Sequence, residues 1–168
     1  QRYNVYWKVY SMAEWQSKKA ETAVAESHRR DLERRTIDHI QPGEQQPETD
    51  HKLQSQNSNS GEHMGRKWRD ASNGGWFSYQ LKVTPGQPAK LICTYWGDDA
   101  GARRFDILVD GKKLATQVLE RNQPGQFFEV EYPLSEEWTR DKSSITVTFQ
   151  ATPGNFAGGL FGISVLKH

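Results

Sequence analysis

At 168 residues and 19.3 kDa the chain is long enough for one well-buried core and, at most, an appendage beside it. Its 22 basic and 21 acidic residues leave a formal charge of +1, which excludes the lopsided basic surface of a nucleic-acid grip. No apolar run approaches the roughly 20 residues of a membrane-crossing helix, so no membrane span is expected.

The chain opens at Gln1 without a Met, a basic n-region or an apolar h-region, and is expected to be cut from something longer. Arg2 to Tyr10 alternates and is rich in aromatics, with Tyr3, Val5, Trp7 and Val9 on one face, so residues 1–10 read as a strand. A strand there needs a partner sheet, and the expected one is a preceding domain that this strand closes. Ser11 and Glu14 fit a capping box that starts a helix from about Met12 to Arg35, so residues 11–35 are assigned to it. Glu14/Lys18 and Glu26/Arg30 are carboxylate-before-base pairs four apart, each worth about 0.3 kcal/mol. The apolar stripe of Met12, Trp15, Ala20, Ala23, Val24 and Leu32 is thin, the mark of a surface helix.

From Thr36 the composition turns polar, with Pro42-Gly43, Pro47 and a Gln/Asn/Ser-rich stretch at Gln54 to Ser60. Residues 36–50 are expected to be a linker, although Ile37, Ile40 and Leu53 point to some contact with a folded body. Residues 51–168 then read as strands. Phe77, Tyr79, Leu81 and Val83 alternate with polar neighbours, and Leu91 to Trp96 is a continuous apolar run. Phe105, Ile107 and Val109 share a face before the hairpin signal Asp110-Gly111, and Lys113 to Leu119 returns. Phe128, Val130 and Tyr132, then Ile145, Val147 and Phe149, then Phe161, Ile163 and Val165 complete the set. Roughly eight short strands without intervening helices predict a mainly β fold, an antiparallel β-sandwich of jelly-roll, galactose-binding-like type. A strand and one long helix precede it.

Strand parity selects the candidate site. If Phe77 and Tyr79 face the core, Trp76 faces out, and Tyr95 and Trp96 cannot share one layer. An outward indole is a platform for a sugar ring, because its negative face attracts polarised C–H bonds. Asp98, Asp99, Arg103 and Arg104 can then hydrogen-bond hydroxyls, carboxylates accepting and guanidinium groups donating. The competing interpretation has Trp76 and Trp96 packing on the helix or on a neighbouring domain. Asp98, Asp99 and Asp106 lack the dense spacing of a calcium loop. The five histidines show no His-x3-His spacing and Cys93 has no second thiol, so no metal site and no cofactor are expected. Cys93 shares parity with Leu91 and Tyr95 and reads as a core residue; a single cysteine leaves the redox compartment open. Glycoside hydrolysis needs two carboxyls held about 5 Å or about 6.5–9.5 Å apart in space across one bond; Glu129, Glu131, Glu136 and Glu137 read as ordinary outward acidic residues, so no catalytic residue is assigned.

Several phrases together carry a family resemblance. Tyr3-Asn4-Val5-Tyr6-Trp7, Arg34-Arg35-Thr36-Ile37-Asp38, Pro42-Gly43-Glu44 and Arg66-Lys67-Trp68-Arg69-Asp70-Ala71 are four of them. Gly74-Gly75-Trp76-Phe77-Ser78-Tyr79, Tyr95-Trp96-Gly97, Phe105-Asp106-Ile107-Leu108-Val109-Asp110-Gly111 and Ala157-Gly158-Gly159-Leu160-Phe161-Gly162 are the others. In this set the chain resembles the C-terminal region of bacterial glycoside hydrolases related to the β-L-arabinofuranosidases of family 127. The resemblance implies a non-catalytic sandwich that follows a catalytic helical toroid and braces it, in an enzyme acting on plant polysaccharide. It implies a periplasmic or extracellular setting and a zinc-bound cysteine centre in the toroid, which no stretch here matches. The alternative is a carbohydrate-binding module that takes a plant-derived oligosaccharide on Trp76, Trp96, Asp98, Asp99, Arg103 and Arg104. A hydrolase in its own right is the third possibility.

Overall fold

The computed structural model describes residues 23–27, 29–31 and 34–167. The strand expected over 1–10 and the capping box at Ser11 and Glu14 lie outside the described residues. Described residues between 23 and 35 are helical, and Arg30 reaches Glu26 at 3.3 Å, the expected four-residue pair. This stretch belongs to a compact unit of its own, residues 1–35, apart from the unit of residues 36–168.

The second unit is an antiparallel sandwich of nine strands: β1 (Thr36–Ile40), β2 (Gln54–His63), β3 (Arg66–Lys82), β4 (Ala89–Trp96), β5 (Arg103–Val109), β6 (Lys112–Leu119), β7 (Phe127–Leu134), β8 (Ser144–Ala151) and β9 (Ala157–Lys167). Two short helices, α1 (Gln45–Asp50) and α2 (Glu136–Thr139), interrupt them. Hydrogen bonding runs in the order β6-β5-β8-β3-β9-β4-β7, with β1 added on β9 and β2 on β3. Strand β3 joins the two faces. Its second half, Trp76 to Lys82, pairs with β8, while Arg69 and Ala71 in its first half pair with β9. Between Ala71 and Trp76 the register against β2 shifts, so several β3 residues oppose Asn57 alone. Such a bulge bends a strand and lets it serve two sheets.

The core follows the alternation seen in the sequence. Phe77, Tyr79 and Leu81, then Leu91, Cys93 and Tyr95, then Phe105, Ile107 and Val109, then Val147 and Phe149, are all fully buried. Phe77 and Phe149 stack at 5.1 Å across the β3–β8 pair. The phenols at the core edge are satisfied: Tyr95 Oη lies 2.9 Å from Tyr132 Oη, which donates to Gln117 Oε1 at 2.8 Å. Asp110 (φ 50°) and Gly111 (φ 85°) turn the β5–β6 hairpin with both residues in the left-handed region, as the Asp-Gly signal requires.

Residues 36–50, expected as a linker, are instead built into the sandwich. Thr36 to Ile40 pair with Leu166 to Ile163, and Ile40 is fully buried. Helix α1 is fastened by Glu48, whose carboxylate accepts from Arg69 Nε at 2.6 Å, from Arg69 Nη2 at 2.9 Å and from the buried Tyr79 hydroxyl. Polar composition disguised this segment because its anchor is a buried carboxylate with every bond made. The Gln/Asn/Ser-rich stretch is the exposed strand β2, held to β3 by backbone bonds that need no apolar side chain.

Candidate functional site

Opposite parity to the core builds a second surface, on the outer side of β2, β3, β9 and β4. Arg69 points inward to Glu48, so its neighbours Trp68 and Asp70 face out. Leu160 and Tyr95 are paired and fully buried, which turns Gly159, Phe161 and Trp96 to the same outer side. Together with Glu62 and His63 from the end of β2, Asp98 and Asp99 from the β4–β5 loop, and Arg103 from β5, these residues line a pocket of about 350 Å³. That volume lies near the lower end of small-molecule sites, which run from about 300 to 1,000 Å³.

One side is aromatic. The His63 ring meets Trp96 edge-on at 4.9 Å and Phe161 at 6.5 Å, and Phe127 packs on Trp96 at 4.8 Å and on Phe161 at 4.9 Å. The Arg66 guanidinium caps the Phe127 ring at 4.6 Å. Trp68 lies across the strand from Gly61, where a Cβ would stand 2.6 Å from the indole; only glycine lets the ring lie flat there.

The other side is polar. Arg103 Nη1 donates to Gly158 O at 2.9 Å, and the Gly159 N–H hydrogen-bonds the Asp99 carboxylate, so the glycine pair of β9 holds both groups. Burial pushes the Asp99 carboxyl above its ordinary range, against the pull of Arg103 and His63. Burial likewise raises Asp70, opposed by the Arg103 charge and the Asn59 N–H. Asp70 is 9% exposed; its Oδ1 and the Arg103 Nε are both buried without a hydrogen-bond partner. Asp98 is already engaged, accepting from Gly125 N at 3.2 Å and facing Arg121 at 3.7 Å. The end of β4 that carries Trp96 is fixed through Gly97, whose N–H donates to Gln126 O at 2.7 Å while its carbonyl accepts from Gln123 N at 3.3 Å.

Of the six residues expected to contact sugar, Trp96, Asp98, Asp99 and Arg103 come together in this pocket. Trp76 and Arg104 do not line it. Trp76 sits on the half of β3 that pairs with β8, its Nε1 donating to Gln56 Oε1 at 3.3 Å, and Arg104 is exposed with its carbonyl accepting from Thr152 N. Asp106 accepts from Thr116 Oγ1 at 2.7 Å and lies outside the lining set. Glu131 faces Lys90 at 3.4 Å and Glu136 faces Arg140 at 3.8 Å, both at exposed positions. Among the described residues no group of three or more His, Cys, Asp or Glu side chains is placed to hold a metal. Sequence reasoning missed Glu62, His63, Trp68, Asp70, Gly159 and Phe161. The signal was present in the phrases around Trp68, Trp96 and Gly159, which the fold brings to one place.

The fold is shared with β-sandwich domains of known structure. A family 35 carbohydrate-binding module from Clostridium thermocellum matches with a TM-score of 0.56 at 11% identity, over 78% of this chain and 99% of that one. A family 35 module from an environmental isolate matches with a TM-score of 0.58 at 13% identity, over 79% and 94%. A sandwich within an exo-β-1,3-galactanase from Phanerochaete chrysosporium matches with a TM-score of 0.55 at 14% identity, over 77% of this chain and 29% of that one. Identities this low establish the shared fold alone. No curated protein matches the sequence. The chain belongs to the family of unknown function DUF6805, whose model matches residues 31–166.

Proposed function

We propose that the sandwich is a non-catalytic carbohydrate-binding domain and that the pocket walled by Trp68, Trp96, Asp70, Asp99 and Arg103 is its site. The observation that carries this is the joining of outward aromatic rings to buried, incompletely bonded acceptor and donor groups in one concave surface. Aromatic faces take the apolar side of a sugar ring, and carboxylate and guanidinium groups take its hydroxyls. The similarity in fold to family 35 carbohydrate-binding modules supports sugar binding ahead of the bracing role implied by the sequence resemblance. On this reading the domain is part of a secreted glycoside hydrolase similar to family 127 and acting on plant polysaccharide. Its catalytic toroid is a partner within the same parent chain, and the setting is periplasmic or extracellular.

The test is titration of the chain with plant oligosaccharides, followed by tryptophan fluorescence and by retardation in polysaccharide-containing native gels. Trp96→Ala and Trp68→Ala are expected to weaken binding about tenfold or more, the loss of about 1.4 kcal/mol of stacking, while Trp76→Ala binds normally. Absence of any response from the folded chain, or loss of binding only in Trp76→Ala, overturns the proposal. Turnover of a nitrophenyl glycoside by the chain alone overturns its non-catalytic part.

A further inference from the structure

We infer that the pocket takes an uncharged sugar unit, one hydroxyl of which donates to Asp70 Oδ1 and accepts from Arg103 Nε. The inference rests on the carbohydrate reading of the same site and specifies its ligand class. Asp70 and Arg103 line one pocket, and each holds a buried polar atom with no partner, an acceptor on Asp70 and a donor on Arg103. Leaving such groups unmet costs about 1–3 kcal/mol apiece, so a ligand that meets both gains on both.

The common sugar substituents differ in what they can meet. A hydroxyl carries one donor and two acceptor lone pairs, and so completes Asp70 and Arg103 together. A uronate carboxylate accepts from Arg103 but has nothing to donate to Asp70. It also enters a pocket that already holds Glu62, Asp70, Asp98 and Asp99 against the single guanidinium of Arg103. Charge pairing does not remove that repulsion, because Asp98 already faces Arg121 while Asp70 and Asp99 share Arg103 as their strongest opposing charge. An ammonium donates to Asp70 but has no lone pair for Arg103 Nε and is repelled by its charge. Unmet or repelling buried groups are how a site rejects a near-isostere.

The experiment uses the 168-residue chain and isothermal titration with matched oligosaccharides of galactose, galacturonate and galactosamine, the corresponding glucose series, and neutral arabinan and xylan oligosaccharides. Each is run in EDTA and again in calcium chloride. The expected result is binding of at least one neutral oligosaccharide, with its charged counterparts about tenfold weaker or worse in both buffers. Asp70→Asn is expected to narrow the gap for the uronate, and Arg103→Gln the gap for the amino sugar. A uronate or amino sugar that binds as tightly as its neutral counterpart, with or without calcium, overturns this inference and leaves the carbohydrate site standing. Failure of every sugar to bind the folded chain removes the carbohydrate reading itself. The wild-type affinity ratio alone is decisive, so a variant that does not fold leaves the proposal fully testable.

Discussion

Glu48→Ala should unfold this sandwich more readily than any surface substitution, because it removes the centre of a buried ionic cluster. The Glu48 and Arg69 side chains are 5% and 13% exposed, and the guanidinium forks onto both carboxylate oxygens. Truncation leaves Arg69 with the Ser58 hydroxyl at 2.9 Å and leaves the Tyr79 phenol without an acceptor. Breaking a buried pair by removing one member costs about 3–5 kcal/mol, a large share of the 5–15 kcal/mol that typically separates folded from unfolded domains. Tyr79→Phe removes one bond to a charged acceptor and should cost about 1.5–3 kcal/mol. Burial pushes the Glu48 carboxyl up, but hydrogen bonds from Arg69, Tyr79 and the Gly43 N–H outweigh it, and the net displacement is downward. A depressed carboxyl stabilises the fold above its ordinary value of 4.5, and that contribution is lost as pH falls through the depressed value. Glu48→Gln should therefore flatten part of the acid limb of the stability curve as well as lowering it at neutral pH. Urea unfolding followed by tryptophan fluorescence measures all three variants, with an unchanged m-value as the check that only stability moved. A loss below about 1 kcal/mol in Glu48→Ala, or an acid limb unaltered in Glu48→Gln, refutes the cluster as an anchor.

Three further outcomes are expected. Burial raises the Asp70 carboxyl, so its ionisation opposes folding: stability falls as pH rises from the ordinary 3.8 through the raised value and is level above it. Asp70→Asn should remove that slope and hold or raise the melting temperature at neutral pH while weakening sugar binding; a lower melting temperature together with unchanged binding would contradict the assignment. In Gly97→Ala the new Cβ would stand 1.7 Å from Gln123 O and 2.4 Å from Gln126 O, both backbone atoms, so the chain next to Trp96 at the end of β4 must shift. A loss of about 1–3 kcal/mol is expected, with weaker binding in calorimetry. Cys93 is fully buried and burial pushes its thiol up, so Ellman's reagent should label it only after denaturant is added.

The inner half of the fold was legible because period-two alternation is a local property. Phe77, Tyr79, Leu91, Tyr95, Ile107 and Phe149 each face the core that their parity predicts. What composition concealed was structure stabilised by polar groups. Glu48 reads as a linker residue until Arg69 and Tyr79, 21 and 31 positions away, are seen to meet it. Strand β2 reads only as a Gln/Asn/Ser-rich stretch because its pairing to β3 is carried by the backbone. Four of the ten lining residues were visible, Trp96 for the same reason as the core, since it must face outward if Tyr95 faces in. Trp68 and Asp70 needed knowledge of pairing: nothing local states that their strand runs beside β9, where Arg69 opposes Leu160. Trp76, equally aromatic and equally outward, falls on the other half of the bent β3 and so faces a different surface.

That bend ties the stability of the domain to its surface chemistry. Arg69 lies between Trp68 and Asp70, and strand geometry makes the inward bond of the middle residue the outward orientation of the other two. The ionic cluster under β3 therefore acts as a positioning device for Trp68 and Asp70, while Gly158 and Gly159 hold Arg103 and Asp99 beside them. Substitutions at Glu48 that leave the chain folded, Glu48→Gln first among them, should weaken sugar binding although Glu48 does not line the pocket. Their effect should appear as lost affinity with a smaller preference for neutral over charged sugars, because Asp70 moves together with Trp68. Lost affinity with an unchanged preference would mean that Asp70 is not one of the discriminating groups.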